Sequence, residues 1–202
     1  MVEGCRHLEG FLSLSEQENL LSDLRDAAKT APYFRPVMPR SGRPFSVEMT
    51  NCGSLGWVSD KVKGYRYQDV HPETGQPWPE IPQQLLDLWR AVADYPGMPE
   101  ACLVNYYADG AKMGSHVDRD EEERDAPVVS VSLGDEAVFH VGGLKRGGTK
   151  TRYNLKSGDV FVLGGSARFA YHGIDRVISG SSSLLPEGGR INITMRRVRP
   201  LE

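Results

Sequence analysis

Cysteine is scarce in this chain, and the three present, Cys5, Cys52 and Cys102, stand far apart with no CxxC pair among them. An odd, scattered set argues against a disulfide framework and a zinc ribbon, and fits a reducing, cytoplasmic compartment. Long apolar runs are missing too. Nothing approaches the roughly 20 residues that span a bilayer, so no membrane partner is expected. Met1 to His7 shows no basic segment leading into an apolar one, so no secretory signal is expected. Repeats, low-complexity tracts and linkers are absent, which leaves one domain over residues 1–202. An excess of basic charge is also lacking: the formal net charge is −3, which by its sum does not mark a nucleic-acid binder. The distribution is less even than the sum. Lys61, Lys63 and Arg66 form one basic cluster and Lys145, Arg146, Lys150 and Arg152 another, offset by Glu121-Glu122-Glu123.

What is present falls into two textures. Ser15-Glu16-Gln17-Glu18 has the form of a capping box with Ser15 as N-cap, and Leu20, Leu21, Leu24, Ala27 and Ala28 keep helical spacing until Pro32. Residues 32–44, rich in proline and arginine, form an irregular arm, so residues 1–44 are expected to be a helical and irregular support. Phe45 to Thr50 suits a strand and Asn51-Cys52-Gly53 a turn. Beyond it, Trp57, Tyr65 and Tyr67 interleave with Lys61, Lys63 and Arg66. Aromatics among cations suit base stacking with phosphate contact, while composition alone favours an amphipathic hairpin with its aromatics packed inward. Leu85, Leu86, Leu88, Trp89, Val92 and Ala93 predict a second helix from near Pro82 to before Pro96-Gly97.

From Ala101 the chain turns to short strands with Gly-rich punctuation, predicted at about 101–107, 113–118, 127–133, 136–141, 150–155, 159–163, 168–172 and 190–198. No helices alternate with them. The fold class is therefore mainly β, a double-sheet jelly roll rather than a βαβ fold.

Two stretches carry chemistry. In Met113-Gly114-Ser115-His116-Val117-Asp118, an extended backbone puts His116 and Asp118 on one face. With His172 as the obvious third ligand, and His140 as a rival, this makes a two-His-one-carboxylate set that leaves positions open on a non-haem Fe(II). Chance alone supplies about 0.3 such His-x-Asp pairs in a chain of this composition, so context decides. The second stretch, Arg190-Ile191-Asn192-Ile193-Thr194-Met195-Arg196, alternates strictly: four polar side chains on one face, three apolar on the other. A guanidinium on such a face pairs bidentately with a carboxylate, and an amide between two of them reaches the same oxygens.

The ordered set of motifs resembles the Fe(II)/2-oxoglutarate dioxygenases, and within them the bacterial AlkB group. The resemblance rests on Met49-Thr50-Asn51-Cys52-Gly53-x-x-Gly56-Trp57, Asn105-Tyr106-Tyr107, His116-x-Asp118-x-Asp120 and Ala126 to Gly134. Gly142-Gly143-Leu144-Lys145-Arg146, Tyr171-His172-Gly173-Ile174 and Arg190-x-Asn192-x-Thr194-x-Arg196 complete it. It covers about residues 45–199 and implies a double-stranded β-helix at 101–199 behind a nucleotide-recognition lid at 45–80. It further implies that His116, Asp118 and His172 ligate iron. Arg190, with Asn192 and Tyr107, would bind the distal carboxylate of 2-oxoglutarate, while Arg196 and Asn105 serve the end near the metal. Trp57 and His172 would sandwich a flipped base, Asp120 would read its exocyclic amino group, Arg146 would contact the nucleotide, and Tyr65 and Tyr67 would touch phosphates or close the lid.

The implied activity is oxidative dealkylation of 1-methyladenine- or 3-methylcytosine-type bases in single- or double-stranded DNA, by a monomer consuming Fe(II)-bound 2-oxoglutarate and O2. Succinate, CO2 and formaldehyde are the expected products. RNA or tRNA bases are the alternative substrate, and a non-catalytic jelly-roll nucleic-acid-binding module the alternative class. The chain departs from the family pattern at Gly114-Ser115, where relatives tend to carry Ser before a bulkier apolar residue, and at Leu163, where a larger aromatic is common. Both changes loosen the pocket.

Overall fold

In the computed structural model, which describes residues 3–201, the chain opens with β1 (Cys5–Leu8), α1 (Leu14–Thr30), β2 (Glu48–Gly53), β3 (Gly56–Asp60), β4 (Gly64–Gln68) and α2 (Gln83–Val92). It continues through β5 (Ala101–Tyr107), β6 (Met113–His116), β7 (Val128–Gly134), β8 (Glu136–Val141), β9 (Thr151–Leu155), β10 (Val160–Leu163), β11 (His172–Ile178) and β12 (Arg190–Arg196). The strands build a six-stranded sheet of order β1-β10-β7-β12-β5-β2 and a four-stranded sheet of order β6-β11-β8-β9, while β3 and β4 form a separate hairpin. All pairings are antiparallel. This is the expected jelly roll.

Strand alternation explains why both faces of the large sheet are buried. In β12, between β7 and β5, Ile193 lies opposite Val131 and Val104. Ile191, Ile193 and Met195 join Val129, Val131 and Val104 beneath Leu20, Leu21 and Leu24 of α1 and Leu85, Leu88 and Trp89 of α2. The helices therefore cover the outer face. The inner face turns toward the four-stranded sheet, where Leu103, Val128, Phe139, Leu155, Phe161 and Ile174 make a second core. Arg190, Asn192, Thr194 and Arg196 point to that inner side, so the polar half of β12 is enclosed between the sheets rather than solvated.

Four local expectations are corrected. The capping box of α1 is Ser13 with Glu16, not Ser15 with Glu18. The entry is set earlier because the N–H of buried Leu12 bonds Gly158 O at 3.0 Å, leaving Ser13 N–H for Glu16 Oε2 at 2.8 Å. Second, β2 runs on through Asn51, Cys52 and Gly53, which are paired with Leu103, Cys102 and Ala101, so the expected turn there is strand. Third, the segment expected as a strand at 168–172 is mostly turn. Arg168 is buried with its guanidinium bonded to Ala126 O, Asp118 O and Glu121, and β11 begins only at His172. Fourth, β1 and β2, from segments assigned to support and lid, form the two edges of the large sheet. His7 and His71, which carried no expected role, hold connections: His7 pairs with Asp159 at 2.8 Å, and His71 bonds Pro32 O at 2.8 Å between Phe34 and Trp78.

Because Ser13 holds the cap, Ser13→Ala is expected to cost about 1 kcal/mol of unfolding free energy. Ser15→Ala should cost less than about 0.5 kcal/mol. Urea denaturation of the two variants side by side checks the assignment.

Candidate active site

The site begins at the pairing of β6 with β11. His116 and His172 are cross-strand partners, and two residues on, Ile174 already faces Met113, so β6 carries one extra residue. That bulge places Gly114 and Ser115 against Gly173, and bulges re-aim neighbouring side chains. Only glycine fits opposite it: a Cβ on Gly173 would stand 2.5 Å from Met113 O and 2.9 Å from Gly114 O. With the strands this close, the His116 and His172 ring centroids are 4.5 Å apart.

Asp118 follows β6 and completes a cluster in which one ligand atom from each of His116, Asp118 and His172 lies within 4.8 Å of the others. The His116 Nε2–Asp118 Oδ1 distance is 3.6 Å and the His172 Nε2–Asp118 Oδ2 distance is 3.8 Å. On both imidazoles Nδ1 lies 2.9 Å from a backbone carbonyl, of Gly114 and of Ala170 respectively. A carbonyl only accepts, so each Nδ1 holds the proton and each Nε2 presents a lone pair to the cluster. Burial, reinforced by the neighbouring His116 imidazole, lowers the His172 pKa to about 4 and keeps the ring neutral. Burial would raise the Asp118 carboxyl, but the Arg196 guanidinium bonded to it outweighs this and holds the group ionised. Two neutral nitrogens and a carboxylate suit a divalent iron-type cation. His140, the rival ligand, is not part of the cluster. It alternates with the inward Phe139 and Val141 and therefore faces the other side of the sheet.

Behind Asp118 lies a buried chain of charges. Arg196 Nη2 donates to Asp118 Oδ2 at 2.9 Å, and its Nε is 3.4 Å from Glu121 Oε1. Arg168 Nη2 donates to Glu121 Oε2 at 3.2 Å, and the Tyr67 hydroxyl donates to Glu121 Oε1. Burial works against the Arg196 charge, but Asp118, Tyr67 and Glu121 more than offset it and raise its pKa. Glu121 is the functional residue that sequence reasoning missed. It lies in the acidic run Glu121-Glu122-Glu123, which carries no periodicity to reveal that Glu121 is 3% exposed.

Arg190 is different. It is 0% exposed, it lines the cavity between the sheets, and only its Nη2 has a partner, Ser132 Oγ at 3.0 Å. Its Nε and Nη1 are buried without an acceptor, as Asn105 Oδ1 is without a donor. Burial lowers its pKa to about 10, with Tyr107 opposing, so it remains a cation at neutral pH. The guanidinium lies over the Tyr107 ring at 5.3 Å. A fully buried cation lacking a carboxylate fits an anionic ligand such as a dicarboxylate. Asn192 buttresses this wall through Ser130 Oγ and Val131 O at 2.6 and 3.2 Å.

The cavity, about 970 Å³, also takes in Trp57, Tyr65, Asp120 and Arg146. Asn51 is wholly buried and clamps the Trp57 backbone, accepting from its N–H at 3.0 Å and donating to its carbonyl at 3.1 Å. Trp57 Nε1 donates to Asp120 Oδ2 at 2.8 Å, and its ring stacks on Tyr65 at 5.4 Å. Tyr67, expected at the lid, does not line the cavity. It shares a hairpin face with Trp57 and Tyr65, but its hydroxyl is spent on Glu121. Gly173→Ala, which must push β6 from β11, is expected to weaken Mn(II) binding about tenfold or more by calorimetry. Gly143→Ala, whose Cβ meets nothing within 4 Å, should leave that affinity unmoved.

Comparison with known proteins agrees with this geometry. A family model described as the 2OG-Fe(II) oxygenase superfamily matches residues 4–196. The chain is 53% identical over 199 residues to an alpha-ketoglutarate-dependent dioxygenase AlkB homolog of Caulobacter vibrioides, covering 98% of this chain and 90% of that protein. It is 44% identical over 184 residues to the alpha-ketoglutarate-dependent dioxygenase AlkB of Escherichia coli, covering 89% and 84%. The solved structure of OsALKBH1 superposes with a TM-score of 0.82 at 28% identity, covering 98% of each chain. The chain thus belongs to the AlkB family of 2OG-Fe(II) oxygenases, dioxygenases that use Fe(II), 2-oxoglutarate and O2.

Proposed function

We propose that this dioxygenase removes alkyl groups from N-alkylated nucleobases of the 1-methyladenine and 3-methylcytosine type in DNA. The observation that carries the reading is one cavity holding three things: the His116–Asp118–His172 cluster, the anion-deficient Arg190, and a Trp57 wall tied to the Asp120 carboxylate.

Each of this chain's residues then has a task. His116, Asp118 and His172 hold the iron through Nε2 and carboxylate oxygen. Arg190, beside the Tyr107 phenol, takes the far carboxylate of 2-oxoglutarate. Burial raises the Tyr107 pKa, so its O–H remains a donor. Arg196 keeps Asp118 ionised and oriented, Asn105, opposite Asn192 in the β5–β12 pairing, serves the carboxylate end near the metal, and Asn192 braces the strand. Trp57 offers its face to an unstacked base opposite His172, and Tyr65 backs the indole. Asp120 accepts from an exocyclic amino group and favours a cationic, alkylated ring. Arg146, exposed at the rim, contacts the nucleotide. Bound in this site, Fe(II) supplies oxidation of the N-alkyl carbon by O2, coupled to conversion of 2-oxoglutarate to succinate and CO2. The hydroxylated carbon leaves as formaldehyde and frees the base.

All of these residues come from one chain, which supports action as a monomer. Three cysteines, all free and buried, support a reducing cytoplasmic setting. Among the described residues no helix is long and apolar enough to cross a membrane.

Formaldehyde release from methylated single-stranded DNA, duplex DNA and tRNA tests the substrate. DNA is expected to lead, and turnover on tRNA alone would replace DNA with RNA. Asp118→Ala should abolish release. Arg190→Lys, which keeps charge but loses the planar fork, should raise the KM for 2-oxoglutarate about tenfold or more in a succinate assay.

A further inference from the structure

Ser115 precedes His116 on β6 and, by strand alternation, points to the opposite side of the sheet. There it meets a polar chain with no part in the reading above. His140 Nε2 lies 3.2 Å from Ser115 Oγ and 3.3 Å from Lys150 Nζ, and His140 Nδ1 lies 2.8 Å from Asp175 Oδ1. A carboxylate accepts, so Nδ1 carries the proton and Nε2 is the acceptor that Ser115 and Lys150 face. The His140 side chain is 3% exposed. Burial lowers its pKa, Asp175 opposes and Lys150 adds to the lowering, so the ring is neutral. The other Asp175 oxygen accepts from Arg152 Nε at 2.9 Å.

Lys150 is thus held by a neutral ring while the nearby carboxylate is spent on His140 and Arg152. Arg146 reaches the same residue from another direction: its Nη2 donates to Ser115 O at 3.4 Å and its guanidinium lies 5.7 Å over Tyr171. Among the described residues no carboxylate pairs with either cation within 4.0 Å. Both also border the active cavity at its rim, around the edge strand β6 that separates the two sides. Cations fixed by neutral acceptors keep their full charge, and both retain N–H donors for a ligand.

We propose that Lys150 and Arg146 form a phosphodiester subsite at the rim of the active cavity, in which the buried Asp175–His140 pair places Lys150. The proposal rests on the nucleic-acid reading above. Its ligand is a backbone phosphate flanking the flipped nucleotide, and Lys150 and His140 set how the strand enters. His140 acts through Lys150 and is a positioning residue. A phosphate fits better than a base edge because the subsite offers only donors and positive charge.

The test is binding of a labelled single-stranded oligonucleotide carrying 1-methyladenine, measured by fluorescence anisotropy with the Mn(II)- and 2-oxoglutarate-loaded protein across a NaCl series. Lys150→Gln should weaken binding about fivefold. It should also flatten the slope of log affinity against log salt by about 0.7, the loss of one contact to a single strand. His140→Leu keeps the Lys150 charge but removes its acceptor. It should weaken binding about two- to threefold with the slope retained, and in turnover assays raise the KM for the oligonucleotide without raising that for 2-oxoglutarate. Lys150→Gln with wild-type affinity and slope, in a protein whose wild type turns the oligonucleotide over, overturns the subsite alone. His140→Leu with wild-type affinity overturns its placement by His140. A wild type that binds no oligonucleotide overturns both the subsite and the reading beneath it.

Discussion

In a pleated strand neighbouring side chains must point to opposite faces, and β12 puts that constraint to two uses at once. Ile191, Ile193 and Met195 are locked beneath the helices, while Arg190, Asn192, Thr194 and Arg196 are presented to the cavity. Pairing with β5 on one side and β7 on the other fixes the register. A slip by one residue would carry both arginines into an apolar core and the isoleucines into the site. Hydrophobic packing on one face is therefore what positions the guanidinium groups on the other, and the chemistry inherits its precision from the core.

The two arginines are then given different surroundings by their ends of the strand. Arg196 sits in a row of alternating charges from Asp118 through Glu121 to Arg168, each pairing with the next. Burying charges is costly unless every one is paired, and breaking such a pair typically costs about 3–5 kcal/mol. This row meets that condition and keeps Asp118 ionised. Among the described residues Arg190 has no carboxylate partner, only Ser132 and the Tyr107 ring. The same residue type is structural at one end of the strand and left wanting a ligand at the other.

Much of this was legible in the sequence. The strands at Ala101–Tyr107 and Glu136–Val141 stand where their alternation and turn signals put them, the jelly roll follows from strands without alternating helices, and His116, Asp118 and His172 do converge. What was not legible depends on contacts between distant segments. Two overlapping capping boxes share one stretch, and only Leu12 docking on Gly158 selects Ser13. Asn51 has a turn former's composition but is consumed by the Trp57 backbone. Arg168 replaces a strand with an anchored turn, and the Tyr67 hydroxyl is drawn to buried Glu121 rather than left for the lid. None of these leaves a period of two or 3.6 residues in the chain.

The Asn51 clamp has a consequence for how such a protein diversifies. The β3–β4 hairpin is a sheet of its own, and its link to β2 runs through one side-chain amide standing in for a strand. A ladder transmits any change in length as a change of register, whereas the hairpin is held by separate bonds near its base, from Asn51, Asp120, Glu121 and Val37, and its tip is left out of them. Residues at the tip, around Lys61, Val62 and Lys63, can therefore be added, lost or exchanged without moving a single pair in the large sheet. The hairpin tip is open to evolutionary change, while the His116–Asp118–His172 cluster and the arginines stay in a frame that does not register it.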